Sequence, residues 1–245
     1  MNAPRPVALV TGAARRLGAA IATGLHAAGY DLALHYRDSA TDAAALQDTL
    51  EESRRNSTVL LRADLSDTAR LPSLIERTAL RFGRLDALVN NASSFFPTPI
   101  GETTEAMWDA LMDSNAKAPF FLAQSAAFHL RESKGAIVNL CDIYAERPLA
   151  NHTVYCMAKA ALTMLTSSLA RELGPEVRVN AIAPGAILWP EADDAAPDNA
   201  LLARTTLGRT GTPDEIAEAV VFLLGKATYT TGQVLRVDGG RWLTI

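Results

Sequence analysis

Lysine is scarce in this sequence. Four lysines stand against nineteen arginines, so each position that keeps a lysine is an uncommon choice. Cysteine is scarcer still. Cys141 and Cys156 have no metal-ligand spacing and build no disulfide framework, so a reducing compartment and no metal site are expected. Both read as small buried hydrophobes. No run approaches the ~20 apolar residues of a membrane span. The net charge of −4 comes without a basic cluster, which argues against nucleic acid as a partner. No linker rich in proline, glycine or serine, no repeat and no shift of composition divides the 245 residues, so one domain over 1–245 is expected. Met1-Asn2-Ala3-Pro4-Arg5 shows no signal-peptide pattern, and the expected location is cytoplasmic.

Strand and helix patterns alternate throughout, as a parallel sheet requires. Strands are expected at 6–10, 31–35, 58–62, 87–90, 136–140, 177–181 and 233–237. Helical periodicity covers 17–28, 42–53, 71–82, 105–130, the segment from Tyr155 onward, and 213–224. These elements predict an α/β fold: a doubly wound Rossmann-type sheet of about seven parallel strands with helices on both faces. Ligands in such sheets bind beyond the carboxyl ends of the strands. The polar motifs at Gly12, Arg37, Asp64, Asn91, Asp142 and Pro184-Gly185 all fall there.

Tyr155 and Lys159 stand four residues apart on a helical pattern of Val154, Ala158, Ala161, Leu165 and Leu169, so both occupy one helix face. An ammonium stabilises phenolate against the ordinary phenol pKa of about 10, so such a pair can act as a general acid near neutral pH. A chance YxxxK in a helix is the alternative. Asp142 ends a strand thirteen residues before Tyr155; it could serve the same chemistry or cap the following turn. At the N-terminus, Thr11–Gly18 joins a strand to a helix through a GxxxRxG turn. Free backbone N–H groups and the positive helix end suit a phosphate there. An ordinary β-α turn is the alternative, although Arg15 and Arg16 beside it favour an anion.

With Thr11–Gly18, Asp64-Leu65, Asn90-Asn91-Ala92, Asn115, Tyr155/Lys159, Pro184-Gly185 and Asp238-Gly239-Gly240 in order, the chain resembles the short-chain dehydrogenase/reductase family. Most members carry serine at the position of Asp142 and glycine at that of Ser93. The Asn91-Ala92-Ser93-Ser94-Phe95 run, the Asn139–Asp142 strand end, His35-Tyr36 and Asp193-Asp194 instead resemble the pteridine reductase branch. That resemblance implies NADPH/NADP+ as cofactor and a pterin or folate as substrate. It implies Asp142, Tyr155, Lys159 and Asn115 as catalytic residues. The cofactor set it implies is Gly12, Arg15, Arg16, Leu17, Gly18, His35, Tyr36, Arg37, Ser39, Asp64, Leu65, Asn91, Ala92, Ser93, Pro184, Gly185 and Ile187, with Tyr155 and Lys159. Arg16, Ser93, Phe95, Asp142 and Tyr155 would meet the pterin, with Phe95 stacking it against the nicotinamide. Asn115 would support a water path to Lys159, or be a satisfied core amide.

The chemistry of Asp142 points the same way. A ketone reductase needs a neutral hydroxyl at the carbonyl oxygen, and a carboxylate there would repel the developing oxyanion. An imine nitrogen must gain a proton as its neighbouring carbon takes hydride, and an Asp–Tyr pair can relay one. The second strand ends His35-Tyr36-Arg37 without the acidic residue that accepts a ribose 2′-OH. Arg15, Arg37 and Ser39 could hold a 2′-phosphate; Asp38, where the branch carries a basic residue, stands against it. Residues 186–212 match the family's substrate-covering segment in position, with Leu188 and Trp189 as candidate walls; Trp189 could equally be core. The branch implies a homotetramer, and the apolar end Trp242-Leu243-Thr244-Ile245 suits such an interface. A 3-oxoacyl or other carbonyl reductase, and a regulator that senses NADP without catalysis, are the competing functions.

Overall fold

The apolar runs expected to be strands all enter one sheet. The structure, a computed structural model, describes residues 4–187 and 202–244. Its strands are β1 (Val7–Val10), β2 (Asp31–Tyr36), β3 (Thr58–Arg62), β4 (Ala87–Asn90), β5 (Ala136–Leu140), β6 (Arg178–Pro184) and β7 (Val234–Val237). All pair in parallel, in the order β3-β2-β1-β4-β5-β6-β7. The described helices are α1 (Arg16–Ala27), α2 (Ala40–Ser53), α3 (Leu71–Phe82), α4 (Glu105–Met112), α5 (Ala118–Ser133), α6 (Thr153–Leu173) and α7 (Pro213–Gly225). None is long and apolar enough to cross a membrane.

Side chains alternate across each strand, and the two faces bury separate cores. Ala8, Val10, Leu32, Leu34, Val89 and Val138 pack with Ile21 and Leu25 of α1 and Ile216 and Val220 of α7. Leu9, Ala33, Leu88, Ile137 and Val179 pack with Leu74 and Ile75 of α3, Leu122 and Ala126 of α5, and Leu169 of α6. Each fully buried leucine or isoleucine contributes about 1.5–3 kcal/mol, so the strand ends stand on a rigid base. The winding reverses between the adjacent strands β1 and β4, which opens the crevice where doubly wound sheets bind ligands.

Two boundaries differ from expectation in ways that matter. The sixth strand runs to Pro184 because β7 pairs with it to the end, Pro184 opposite Val237. The expected long helix over 105–130 is interrupted by a wide π turn, Asp113–Lys117, between α4 and α5. Pro119 has no N–H to bond the carbonyl of Asn115 four residues back, so the regular ladder fails at that point. The same turn buries the Asn115 side chain, 1% exposed.

Candidate active site

The turn after β1 is held by a buried hydroxyl. Thr11 Oγ1 donates to the Val89 carbonyl (3.3 Å) and accepts from the amides of Asn91 (2.9 Å) and Ala92 (3.0 Å). Asn91 Nδ2 donates back to the carbonyls of Thr11 (2.9 Å) and Gly12 (3.1 Å). These bonds stitch β1 to β4 at the winding reversal. Gly18 is obligatory: a Cβ there would lie 2.0 Å from the Gly12 carbonyl oxygen. Helix starts leave about four amides without intrahelical acceptors. Arg15, the N-cap of α1, supplies no side-chain cap, so that end keeps its capacity for an anion. Arg16 has φ +53, a left-handed conformation that disfavours side chains other than glycine, and it is exposed at the same turn.

The catalytic candidates meet at the ends of β5 and α6. Tyr155 Oη donates to Asp142 Oδ2 at 2.6 Å, while Asp142 Oδ1 accepts from the Tyr144 amide at 2.9 Å. The two readings of Asp142 are therefore both realised, one oxygen capping the turn and the other holding the phenol. Burial pushes the Asp142 carboxyl above its ordinary range, while the Tyr144 amide, the Tyr155 hydroxyl, Lys159 and Arg241 pull the other way. Lys159 is 3% exposed, and its Nζ donates to the Leu140 carbonyl at 2.8 Å. Burial pushes this ammonium down from its ordinary value. Phe95 stands edge-on to the Tyr155 ring (4.8 Å between centroids) and stacks on His152 (4.7 Å, 14°). Its ring is 57% exposed, leaving aromatic surface beside the phenol.

Lys159, expected to ease proton loss from Tyr155, has its Nζ 5.7 Å from the centre of that ring and donates to the Leu140 carbonyl. Burial, and then the Asp142 charge and hydrogen bond, push the phenol above its ordinary value. The phenol is thus neutral, and it shares its proton in a hydrogen bond with Asp142. His35, expected among the cofactor contacts, is 2% exposed with both ring nitrogens bonded to backbone, beneath the turn.

The other candidates divide by position. Ser93 Oγ donates to Asn115 Oδ1 at 2.7 Å, and Asn115 Nδ2 donates to the carbonyls of Ser94 and Leu111, both at 2.9 Å. Asp64 Oδ1 accepts from the amide and hydroxyl of Ser66, which hold its carboxyl below the usual range; Leu65 beside it is buried. Arg37 pairs with exposed Asp38 at 2.6 Å, and Arg15 lies 3.6 Å from Asp42. Tyr36 and Ser39 are half-buried at the end of β2, and Ile187 is buried beyond β6. Gly185 packs so closely on Asp238 that a Cβ would lie 2.7 Å from its Cα. Leu188 and Trp189, with Pro190, Glu191, Asp193 and Asp194, lie outside the described residues.

Several supporting contacts escaped the sequence reading. Asn90 Nδ2 donates to Asn139 Oδ1 (2.8 Å), and Asn139 Nδ2 to Thr166 Oγ1 (2.9 Å), tying β4 and β5 to α6 below the site. Amides at the ends of apolar strands, and a threonine on an apolar helix stripe, were the available signal. Tyr144 accepts from Arg241 Nη2 at 3.3 Å, a contact across 97 positions that no local pattern reveals.

Comparison with known proteins adds to this geometry. Residues 12–241 match the family described as enoyl-(acyl carrier protein) reductase. Pteridine reductase 1 of Leishmania tarentolae is 40% identical over 98% of this chain and 97% of its own. Ketoacyl reductase 2 of the granaticin polyketide synthase of Streptomyces violaceoruber, provisionally so named, is 38% identical over 97% and 96%. The 3-oxoacyl-(acyl carrier protein) reductase of Staphylococcus aureus is 35% identical over 96% and 98%. Identity alone does not separate pterin from ketoacyl relatives; residue 142 and its neighbours must.

The hydrogen bond from Tyr155 stabilises the charged form of Asp142. Tyr155→Phe is therefore expected to raise the Asp142 carboxyl pKa further, followed by carbon-13 NMR of labelled aspartate. An unchanged or lowered value would mean that the two groups are not coupled.

Proposed function

Since the chain belongs to the short-chain dehydrogenase/reductase family, we propose that it is an NADPH-dependent pteridine reductase that converts a dihydropterin to the tetrahydropterin. The observation that carries this reading is the Asp142 carboxyl on the Tyr155 phenol, with the open Phe95 ring against that phenol. A serine would serve a ketone; a carboxyl that can itself carry a proton serves a ring nitrogen. Relatives named as ketoacyl reductases support a carbonyl substrate as the second reading, and Asp142 stands against it. An oxidoreductase relationship over nearly the whole chain, with Tyr155 and Lys159 intact, weighs against a regulator without catalysis.

The residues fit the dinucleotide. The close Gly12–Gly18 contact and the uncapped start of α1 suit a pyrophosphate. Arg15, Arg37 and Ser39 would take the 2′-phosphate, Arg37 exchanging Asp38 for it. Lys159 spends one of its three donors on Leu140 and has two for ribose hydroxyls. NADPH supplies the hydride when bound. Tyr155 then gives its proton to the pterin ring nitrogen N5, and Asp142 restores it. Ser93, with its hydroxyl tied to Asn115, and exposed Arg16 would border the pterin, while Phe95 covers its face. Exposed Phe120 and Phe128 on α5 and Met157 and Met164 on α6 favour a homotetramer built through the long helices. Arg147 and Arg236 of the same chain lie 4.5 and 4.3 Å from the centre of the Trp242 ring.

A turnover panel tests the reading. Dihydrobiopterin or dihydromonapterin should drive NADPH oxidation with a kcat/KM well above that of acetoacetyl thioesters, and NADPH should exceed NADH. The reverse order in either comparison would reject the corresponding half of the proposal. The reaction consumes a proton, so kcat/KM should fall as pH rises through the raised Asp142 pKa. Asp142→Asn, which has no proton to lose, should lack that fall and run about 10²–10⁴-fold slower. An unchanged pH profile in this variant would remove Asp142 from the relay. Light scattering should find four chains per particle; a monomer would reject the assembly.

A further inference from the structure

His35 lies at the crossing of three strand ends, and its two bonds determine its tautomer. The Gly12 amide can only donate, so Nδ1, 3.1 Å away, holds a lone pair. The Ala63 carbonyl can only accept, so Nε2, 3.2 Å away, carries the hydrogen. The His35 carbonyl takes the next amide, that of Ala13, at 2.8 Å, and Tyr36 accepts from the Ala63 amide at 3.2 Å. One residue thus grips two consecutive peptides of the glycine turn and ties them to the end of β3. Burial holds the imidazole down to about 4, against the Ala63 bond and the Asp64 charge, so the neutral form persists at neutral pH.

Gly12 has φ +62, a left-handed conformation that glycine adopts without penalty, and its carbonyl meets Gly18 at the entry of α1. Asn91 Nδ2 holds the Thr11 and Gly12 carbonyls on one side of this turn, and His35 Nδ1 holds the Gly12 N–H on the other. We propose that His35 is a positioning residue for the dinucleotide: its Nδ1 fixes the Thr11–Gly12 peptide plane, and through it the turn that receives the pyrophosphate, without touching the cofactor. This rests on the dinucleotide part of the proposed function and is independent of the pterin.

The substitutions separate the two bonds. Asparagine offers an acceptor on Cγ, where Nδ1 sits. Glutamine reaches only as far as Nε2, and leucine supplies neither. Calorimetric titration of the full chain with NADPH and with NADH, in the absence of any pterin, reads the effect on the pyrophosphate that both carry. His35→Leu and His35→Gln should bind about tenfold more weakly, the loss of roughly one well-placed hydrogen bond. His35→Asn should stay within about threefold of the original. Equal weakening in the asparagine and glutamine variants would assign His35 a merely structural role and overturn the proposal, as would unchanged binding in the glutamine variant. That pair decides the matter even if the leucine variant fails to fold. A failed pterin reading would appear in turnover and leave these affinities alone.

Discussion

The hydrogen bond between the Tyr155 phenol and the Asp142 carboxyl, 2.6 Å long, is the constraint around which the site is built. Neither group would be a useful proton carrier alone. A buried phenol holds its proton too tightly, and an exposed carboxylate at pH 7 has none to give. In the proposed reaction they would share a reserve whose proton affinity is set from both sides. Burial raises the carboxyl, and the amide of Tyr144, the phenol, Lys159 and Arg241 restrain it. Opposing influences of this kind characterise groups adjusted for proton transfer.

That balance depends on the scaffold holding α6 against β5. Lys159 reaches the last carbonyl of β5, and the Asn90–Asn139–Thr166 chain repeats the connection one layer below. A buried ammonium without partners would be expensive, so the Leu140 carbonyl is part of the site even though it is backbone. At the other end of the crevice, Thr11 and Asn91 do for β1 and β4 what Asn139 and Thr166 do for β5 and α6. The proposed proton donor and the proposed anion turn therefore belong to one rigid set of strand ends.

Much of this was legible in the sequence because it is local. The seven strands, α3 to the residue, and the Tyr155/Lys159 face follow from periodicity and spacing. Strand-end logic put Asp142 at the carboxyl edge of the sheet, and the family resemblance put it with Tyr155. What could not be read depends on contacts between distant positions. Lys159 turned to a carbonyl instead of to the phenol, and His35 turned inward beneath Gly12 instead of outward to a ligand. Both departures come from burial, which the sequence signals weakly for polar residues. The break in the 105–130 helix was readable at Ala118-Pro119, since proline disrupts the bond to Asn115. The burial of the Asn115 amide was among the expectations; its bond to Ser93 was not.

The most direct test exchanges the chemistry at one atom group. Asp142→Ser substitutes the hydroxyl that suits a carbonyl for the carboxyl that suits a ring nitrogen, and leaves Tyr155 and Lys159 in place. The ratio of kcat/KM for a dihydropterin to that for an acetoacetyl thioester should fall by about a hundredfold or more, as expected for loss of a general acid partner. A ratio that stays constant would mean that the carboxyl only caps the turn, and that substrate choice lies elsewhere.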